Sequence, residues 1–327
     1  MHGKVMLAAT AASVTAVLAV TLTGCAGTPG HAGEAPANAD SNARQVVPPL
    51  GVSADELARL PRATTYARIP AAPSDMAPFI VTSGLVVHPL AQQVVYAAPG
   101  KKAVAVLPTA ELGGPTWVPV VQSTPGWERV LLPSRPNHAT GWIYTGAGTP
   151  GAGSAGSRLE TRRSSYIVRV NLGSRQLSVY DGGTVRGTWT VAVGTEATPT
   201  PTGRTFLLAS LAPPHPTYSP LILPLGTHSN TLETYGGGPG TVGLHGWPDS
   251  SVFGHAVSHG CVRVPAPALR VLSEVPLGSL VLVSRLRVAA GFAEGAIPAA
   301  AAAIGMGGRR GARRAAAART RPGSSRQ

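Results

Sequence analysis

Two stretches of this chain break their apolar residues into runs of strand length and close each run with a turn. Between about Gly84 and Gly146 the runs fall at 94–96, 103–107, 116–121, 127–132 and 141–144, separated by Pro-Gly, Gly-Gly-Pro and Asn-His steps. That is the pattern of a small antiparallel barrel or sandwich. From Tyr166 the texture returns. Segments 166–171 and 176–180 alternate, with Leu177 and Val179 on one face and Gly173 in the turn between them. Asp181-Gly182-Gly183 makes the next turn, 188–193 a third strand, and Thr200-Pro201-Thr202-Gly203 a rigid corner leading into 204–209. Only 267–275 has a helical look, and 280–283 reads as a last strand. With 40 Gly, 31 Pro and 13% charged residues, long helices are disfavoured and a mainly β fold is expected.

The remaining stretches lack that texture. Lys4 followed by a small and apolar run over 6–22 reads as an export signal, too short and too weakly hydrophobic for a membrane span. It ends in Leu22-Thr23-Gly24-Cys25, which resembles the lipobox of bacterial lipoproteins. That resemblance implies lipidation of Cys25 as the new N-terminus, several acyl chains and stable anchoring in a membrane; a plain secretory signal is the alternative. Residues 26–80 are rich in Ala, Pro, Gly and Ser without apolar period and read as a tether. As a coil it would hold the body roughly 40 Å from the lipid on average. Within it, Ser53 as cap with Glu56 three residues on permits a short helix over 53–60.

The resulting layout is a signal over 1–24, a flexible tether over 25–80, a β domain over 81–146, a linker over 147–165, a second β domain over 166–284 and a basic disordered tail over 285–327. The linker separates bodies that could fold independently. The net charge of +13 invites a nucleic-acid reading, but nine Arg against Glu294 from Arg285 onward supply +8 of it. No basic stripe interleaved with aromatics is left, so nucleic acid is excluded as a partner. The tail is suited to anionic polymers or lipid headgroups, or simply follows genome composition.

If Cys25 is consumed by lipid, Cys261 is the only free thiol, in a chain built for an oxidising compartment. It lies in Ser258-His259-Gly260-Cys261-Val262-Arg263, with His245-Gly246-Trp247 upstream. Acyl transfer by cysteine needs a base for the thiol and donors for an oxyanion, because a thiol near pKa 8.5 is mostly protonated at neutral pH. His245, on its own strand, is expected to be the base and later the acid, oriented by a carbonyl at Gly246. The amides of Gly260 and Cys261, with His259, are expected to form the oxyanion hole. Ser258 is expected to hydrogen-bond the loop backbone.

Residues 166–283 resemble the L,D-transpeptidase (YkuD-type) catalytic domain. The His-Gly pair, the Ser-His-Gly-Cys motif after a gap of about 14 residues, and the early hairpin followed by Thr-Pro-Thr-Gly carry the resemblance, over about 120 residues. The 81–146 body resembles a bacterial SH3-like domain in a Gly-Trp before a strand and a closing Gly-Trp-Ile. Together these imply a β-sandwich catalytic domain preceded by a small SH3-like barrel. The first resemblance also implies that Cys261 attacks the L-centre carbonyl of the position-3 diamino acid in a peptidoglycan tetrapeptide stem, releasing D-alanine. A diamino-acid amine of a second stem then resolves the thioester into a 3→3 cross-link, with no cofactor and no metal, and the thiol would be a carbapenem target. With the lipid anchor, the place of action is outside the membrane, facing the cell wall.

Several further residues have two readings. Arg263 is either a salt-bridge partner or a clamp for substrate carboxylates and support for the cysteine loop. Tyr218 and His228 are placed by position alone along a substrate groove, with Gly246 beside it. His255 reads as a surface histidine. A zinc set of Cys261 with His245, His255 and His259 lacks a second cysteine. Trp117, Trp127 and Trp142 are either a cell-wall ligand platform or the core of a small domain. Hydrolysis on the same fold, as an L,D-carboxypeptidase, and a non-catalytic lipid-anchored wall-binding protein are the functional alternatives.

Overall fold

The computed structural model describes residues 46–146 and 158–285. The export segment, Cys25, and the tail beyond Arg285 lie outside the described residues, as does most of the expected linker. The expected short helix is α1, Ala54–Arg59, and the Ser53 hydroxyl accepts the Glu56 amide at 3.2 Å, which satisfies one of the helix's free N–H groups.

The first β body comprises β1 Leu85–Pro89, β2 Gln93–Tyr96, β3 Ala103–Leu107, β4 Ala110–Glu111, β5 Gly114–Pro115, β6 Val118–Thr124, β7 Trp127–Leu131, β8 Thr140–Tyr144 and β9 Leu159–Arg163. Seven of these form one sheet in the order β3-β2-β8-β7-β6-β1-β9, while β4 and β5 pair separately. The body is larger than expected at both ends. β9 comes from the stretch read as linker and pairs along all of β1, from Leu85↔Arg163 to Pro89↔Leu159. Residues 46–80, read as part of a tether, run across the body: Ala63 and Ile69 are buried in its core, and Trp127 donates its indole N–H to the Val47 carbonyl at 2.7 Å. Single small apolar residues spaced without period leave no pattern to read, which is why this segment resembled a tether. Trp117, Trp127 and Trp142 are all buried, so they fill the core and offer no exposed platform.

The second body contains β10 Tyr166–Asn171, β11 Gln176–Asp181, β12 Thr184–Thr190, β13 Val193–Gly194, β14 Gly203–Phe206, β15 Ile222–His228, β16 Thr241–Gly246, β17 Ala256–Ser258, β18 Val262–Val264, α2 Ala266–Leu272 and β19 Leu280–Ser284. A five-stranded sheet runs β12-β11-β10-β19-β14, a three-stranded one β15-β16-β18, and β13 pairs with β17. The hairpin register sets Val168 opposite Val179 and Val170 opposite Leu177. Those four are buried, and they face Leu223, Leu244, Val262 and Val264 of the smaller sheet in one core.

The two bodies do not behave as beads on a linker. Phe206 and Leu208 of the second body lie in the core cluster of the first. The fit around Phe206 is tight: a Cβ on Gly226 would come within 2.4 Å of its ring. Across the same boundary, Arg204 Nε and Nη2 donate to the two oxygens of Asp75 at 2.6 and 2.7 Å, with both side chains buried. His138 donates through Nε2 to the Thr202 carbonyl at 2.8 Å.

Candidate active site

β16 and β18 run parallel, with Leu244 opposite Val262 and His245 opposite Arg263. Leu244 and Val262 are buried in the core. Alternation therefore sends Gly243, His245, Cys261 and Arg263 to the opposite face of the small sheet. Parallel neighbours need a crossover between them. The stretch from Trp247 to Gly260 supplies it, through a short 3-10 turn at Ser250–Val252 and strand β17. The spacing between the histidine and the cysteine is thus the length of one crossover.

Cys261 is a free cysteine, half-buried, and its sulfur accepts the Gly243 amide at 3.4 Å. Burial pushes its thiol up, while the Gly243 amide and the Arg263 charge pull the other way without reversing it. His245 is 7% exposed, and Nδ1 lies 2.8 Å from the Gly246 carbonyl. A carbonyl only accepts, so Nδ1 carries the proton and Nε2 is left as an acceptor. Burial pushes the His245 imidazole down, the Gly246 carbonyl opposes this, and the Arg263 charge adds to it. Thiol and imidazole are accordingly both neutral near pH 7, the imidazole in the tautomer that makes Nε2 the acceptor.

The surroundings of His245 are aromatic. Tyr218 stands edge-on at 5.0 Å and Trp247 lies at 6.0 Å between ring centroids. The Arg263 guanidinium sits 3.6 Å over the Trp247 ring, and its Nε is buried without a hydrogen-bond partner among the described residues. Beside them opens a cleft of about 500 Å³ lined by Tyr218, Pro220, Leu221, Trp247, Leu269 and Arg270. Gly246 closes one edge of it; a Cβ there would meet Ser219 Oγ at 3.0 Å. That hydroxyl accepts the Gly246 amide at 2.7 Å and donates to the Leu221 carbonyl at 2.6 Å.

The cysteine loop is held from both sides. Ser258 Oγ donates to the Cys261 carbonyl at 2.5 Å and accepts the Gly260 amide at 3.1 Å. Gly260 has φ +119°, in the region that favours glycine. From outside, Thr200 Oγ1 donates to the Gly260 carbonyl at 2.8 Å and Thr198 Oγ1 to the Ser258 carbonyl at 3.0 Å. Two sequence expectations change here. The Gly260 amide already has a partner in Ser258, so it is not the free oxyanion donor expected of it. His228 does not line the groove: it is fully buried, donates to the Thr65 carbonyl at 2.7 Å, and burial pushes it down to about 4. His259 is exposed with its ring 5.1 Å from that of Tyr235, and His255 is exposed as expected.

Thr198, Ser219 and Tyr235 were not singled out by the sequence, and Thr200 was read only as the start of the Thr-Pro-Thr-Gly corner. For the threonines a signal was present: in 198–200 a proline sits between two hydroxyl residues at alternate positions, so the chain is extended there and both side chains can face one loop. Ser219 and Tyr235 lie in turn-rich sequence that offers no comparable cue.

Residues 165–283 match the model of the YkuD family, the L,D-transpeptidase catalytic domain. No curated protein matches the chain. Among solved structures, the catalytic domain of an E. faecium L,D-transpeptidase shows 19% identity, with 38% of this chain and 99% of that one covered and a TM-score of 0.30. An L,D-transpeptidase from Mycobacterium smegmatis shows 17% identity over 51% and 99% of the two chains, TM-score 0.33. L,D-transpeptidase 3 from Mycobacterium tuberculosis shows 15% identity over 45% and 75%, TM-score 0.32. Over residues 165–283 the chain is thus similar to the L,D-transpeptidase catalytic domain.

Proposed function

We propose that this protein is a peptidoglycan L,D-transpeptidase that forms 3→3 cross-links through a thioester on Cys261. The observation that carries the reading is the placement of a free thiol just before β18 and of a neutral imidazole on the adjacent parallel strand β16, the imidazole's Nδ1 tied to the Gly246 carbonyl. His245 Nε2 takes the thiol proton as sulfur bonds to the L-centre carbonyl of the position-3 residue in a tetrapeptide stem. The same proton then goes to the amine of D-alanine as the C–N bond breaks. In the second half-reaction an acceptor side-chain amine attacks the thioester, His245 accepts its proton, and the thiol is restored as the new amide forms. The Cys261 amide supplies an oxyanion donor that Gly260, committed to Ser258, does not. Arg263, with its unpartnered Nε beside the Trp247 ring, holds a stem carboxylate. Tyr218 lines the donor groove and His259 borders the cysteine loop.

Lipid at Cys25 would hold this chemistry at the outer face of the membrane, against the wall, and the sheet body over 46–163 is the accessory region for which an SH3-like resemblance was expected. The test is incubation of the full chain with a tetrapeptide stem, with and without an acceptor amine, followed by mass spectrometry. A tripeptide adduct on the Cys261 peptide and stem dimers are expected, both lost in Cys261→Ala and reduced at least a hundredfold in His245→Ala. A wild-type chain that yields neither adduct nor dimer would refute the assignment, and free tripeptide without dimer would make it a hydrolase.

A further inference from the structure

The loop over 229–240, between β15 and β16, brings Tyr235 against His259 in the cysteine loop. The Tyr235 hydroxyl is 3.3 Å from His259 Nδ1, and the two rings are 5.1 Å apart. Nothing apolar fixes this loop. Its residues are exposed except for the half-buried Leu232, Gly238 and Pro239 and the buried ends Ser229 and Gly240. Gly236 and Gly237, at φ +56° and +79°, form the tight turn that Tyr235 and Gly238 close with mutual backbone hydrogen bonds. Such a segment, with few buried contacts and three consecutive glycines, belongs to the low-stability end of a fold unless something outside it holds it.

Side chains of the first body do: the exposed Arg68 guanidinium pairs with the Glu233 carboxylate, and Arg135 makes the most extensive tie. Arg135 donates through Nη1 to the Ser229 carbonyl at 3.0 Å, and through Nη2 to the carbonyls of Leu232 at 3.1 Å, Glu233 at 3.4 Å and Pro239 at 2.7 Å. These acceptors come from both limbs of the loop, so a single planar cation ties its beginning to its end. The approach is close: a Cβ on Gly240 would lie 3.1 Å from Arg135 Nη2. Arg135 is itself fixed at the backbone, its amide bonded to the Ala67 carbonyl and its carbonyl to the Ile69 amide. Asn137, two residues on, adds a second tie, giving Nδ2 to the His228 carbonyl at 2.7 Å and accepting the His228 amide at 2.8 Å.

We infer that Arg135 is a positioning residue for acyl transfer: it holds the 229–240 loop so that Tyr235 stays packed on His259 at the cysteine loop and bounds the site where the donor stem lies. The first body thereby completes the active site, beyond any role in wall binding. This rests on the reading of Cys261 as the nucleophile, but the clamp can be read without it.

The test uses the full chain with Arg135→Gln, Arg135→Lys and Tyr235→Ala. Amide hydrogen exchange of peptides covering 229–240 should speed up at least tenfold in Arg135→Gln, with β10 to β12 unchanged. KM for the tetrapeptide donor should rise fivefold or more while kcat falls less than twofold, with Arg135→Lys in between. Unchanged exchange across 229–240, or a loosened loop with unchanged KM, overturns the inference. Should Arg135→Gln loosen β10 to β12 as well, Tyr235→Ala decides, since it leaves the clamp in place: a raised KM with unaltered exchange supports the inference, and an unaltered KM overturns it. Should the wild-type chain not react with stem peptide, alkylation of Cys261 by iodoacetamide replaces KM; it should run at least threefold faster in Arg135→Gln, and equal rates overturn the clamp.

Discussion

Removing the Asp75 carboxylate tests whether the two bodies form one cooperative unit. The Asp75 and Arg204 side chains are 2% and 5% exposed, and the guanidinium meets both carboxylate oxygens. In Asp75→Ala the Arg204 cation would keep only the Ile80 carbonyl, at 2.9 Å, inside the boundary between the bodies. Stranding one member of a buried pair costs about 3–5 kcal/mol. For a unit of this size that lowers the melting midpoint by about 6–20 °C. Asp75→Ala with Arg204→Met removes the stranded charge and should recover most of the loss, since apolar replacement of a buried pair is often neutral. The effect also depends on pH. Burial alone would raise the Asp75 carboxyl, but the Arg204 hydrogen bond, the Ala77 amide, and the Arg204 and Arg129 charges together hold it below its ordinary value. A depressed carboxyl contributes stability above its unfolded pKa of about 3.9 and loses it as pH falls through the lower folded value. The difference between wild type and Asp75→Ala should therefore be constant from pH 5 to 8 and shrink below pH 4. Calorimetry of the full chain reads all three quantities. A single variant melting within 2 °C of wild type, or two transitions in wild type that shift independently, would refute the reasoning.

Burial raises the Glu111 carboxyl from an ordinary 4.5 to about 7 against the pull of the Thr65 amide. The folded chain then keeps a proton that the unfolded chain releases, and stability falls by about 3 kcal/mol as pH rises through that window; the melting point of Glu111→Gln should change less between pH 5 and 8 than that of wild type, and equal slopes would count against the buried acid. Because the His245 imidazole is pushed down, the acid limb of the acylation rate should lie below the ordinary imidazole value near 6.5; a limb at or above that value would count against the downward push of burial. Thr200→Val deprives the Gly260 carbonyl and the Gly194 amide of their shared partner. A loss of about 1–3 kcal/mol and slower acylation of Cys261 are expected, and unchanged values for both would remove Thr200 from the support of the loop.

What the sequence disclosed was local. The pairing of Val168 with Val179 and Val170 with Leu177 follows from alternation across a glycine turn, and the His245 and Cys261 motifs are short enough to be legible in one window. The Ser53 cap was visible for the same reason. What stayed hidden depends on residues brought together from far apart. Arg135 and the loop it holds are about a hundred residues distant in sequence, and nothing in either stretch announces the other. The packing of 46–80 rests on isolated residues such as Ile69, which have no period to detect. Gly260 failed as an oxyanion donor because its partner, the Ser258 hydroxyl, is set by the rotamer of a side chain, and spacing does not encode that.

β19 is the final strand in chain order, yet it lies between β10 and β14, paired with Val168 through Val281 and with Thr205 through the same residue. During synthesis, neither neighbour has its partner until the ribosome has passed Ser284. A polypeptide halted between Cys261 and Leu280 has Cys261 but lacks β19, the strand that joins β10 to β14. The five-stranded sheet therefore closes only when the last strand of the domain has been made.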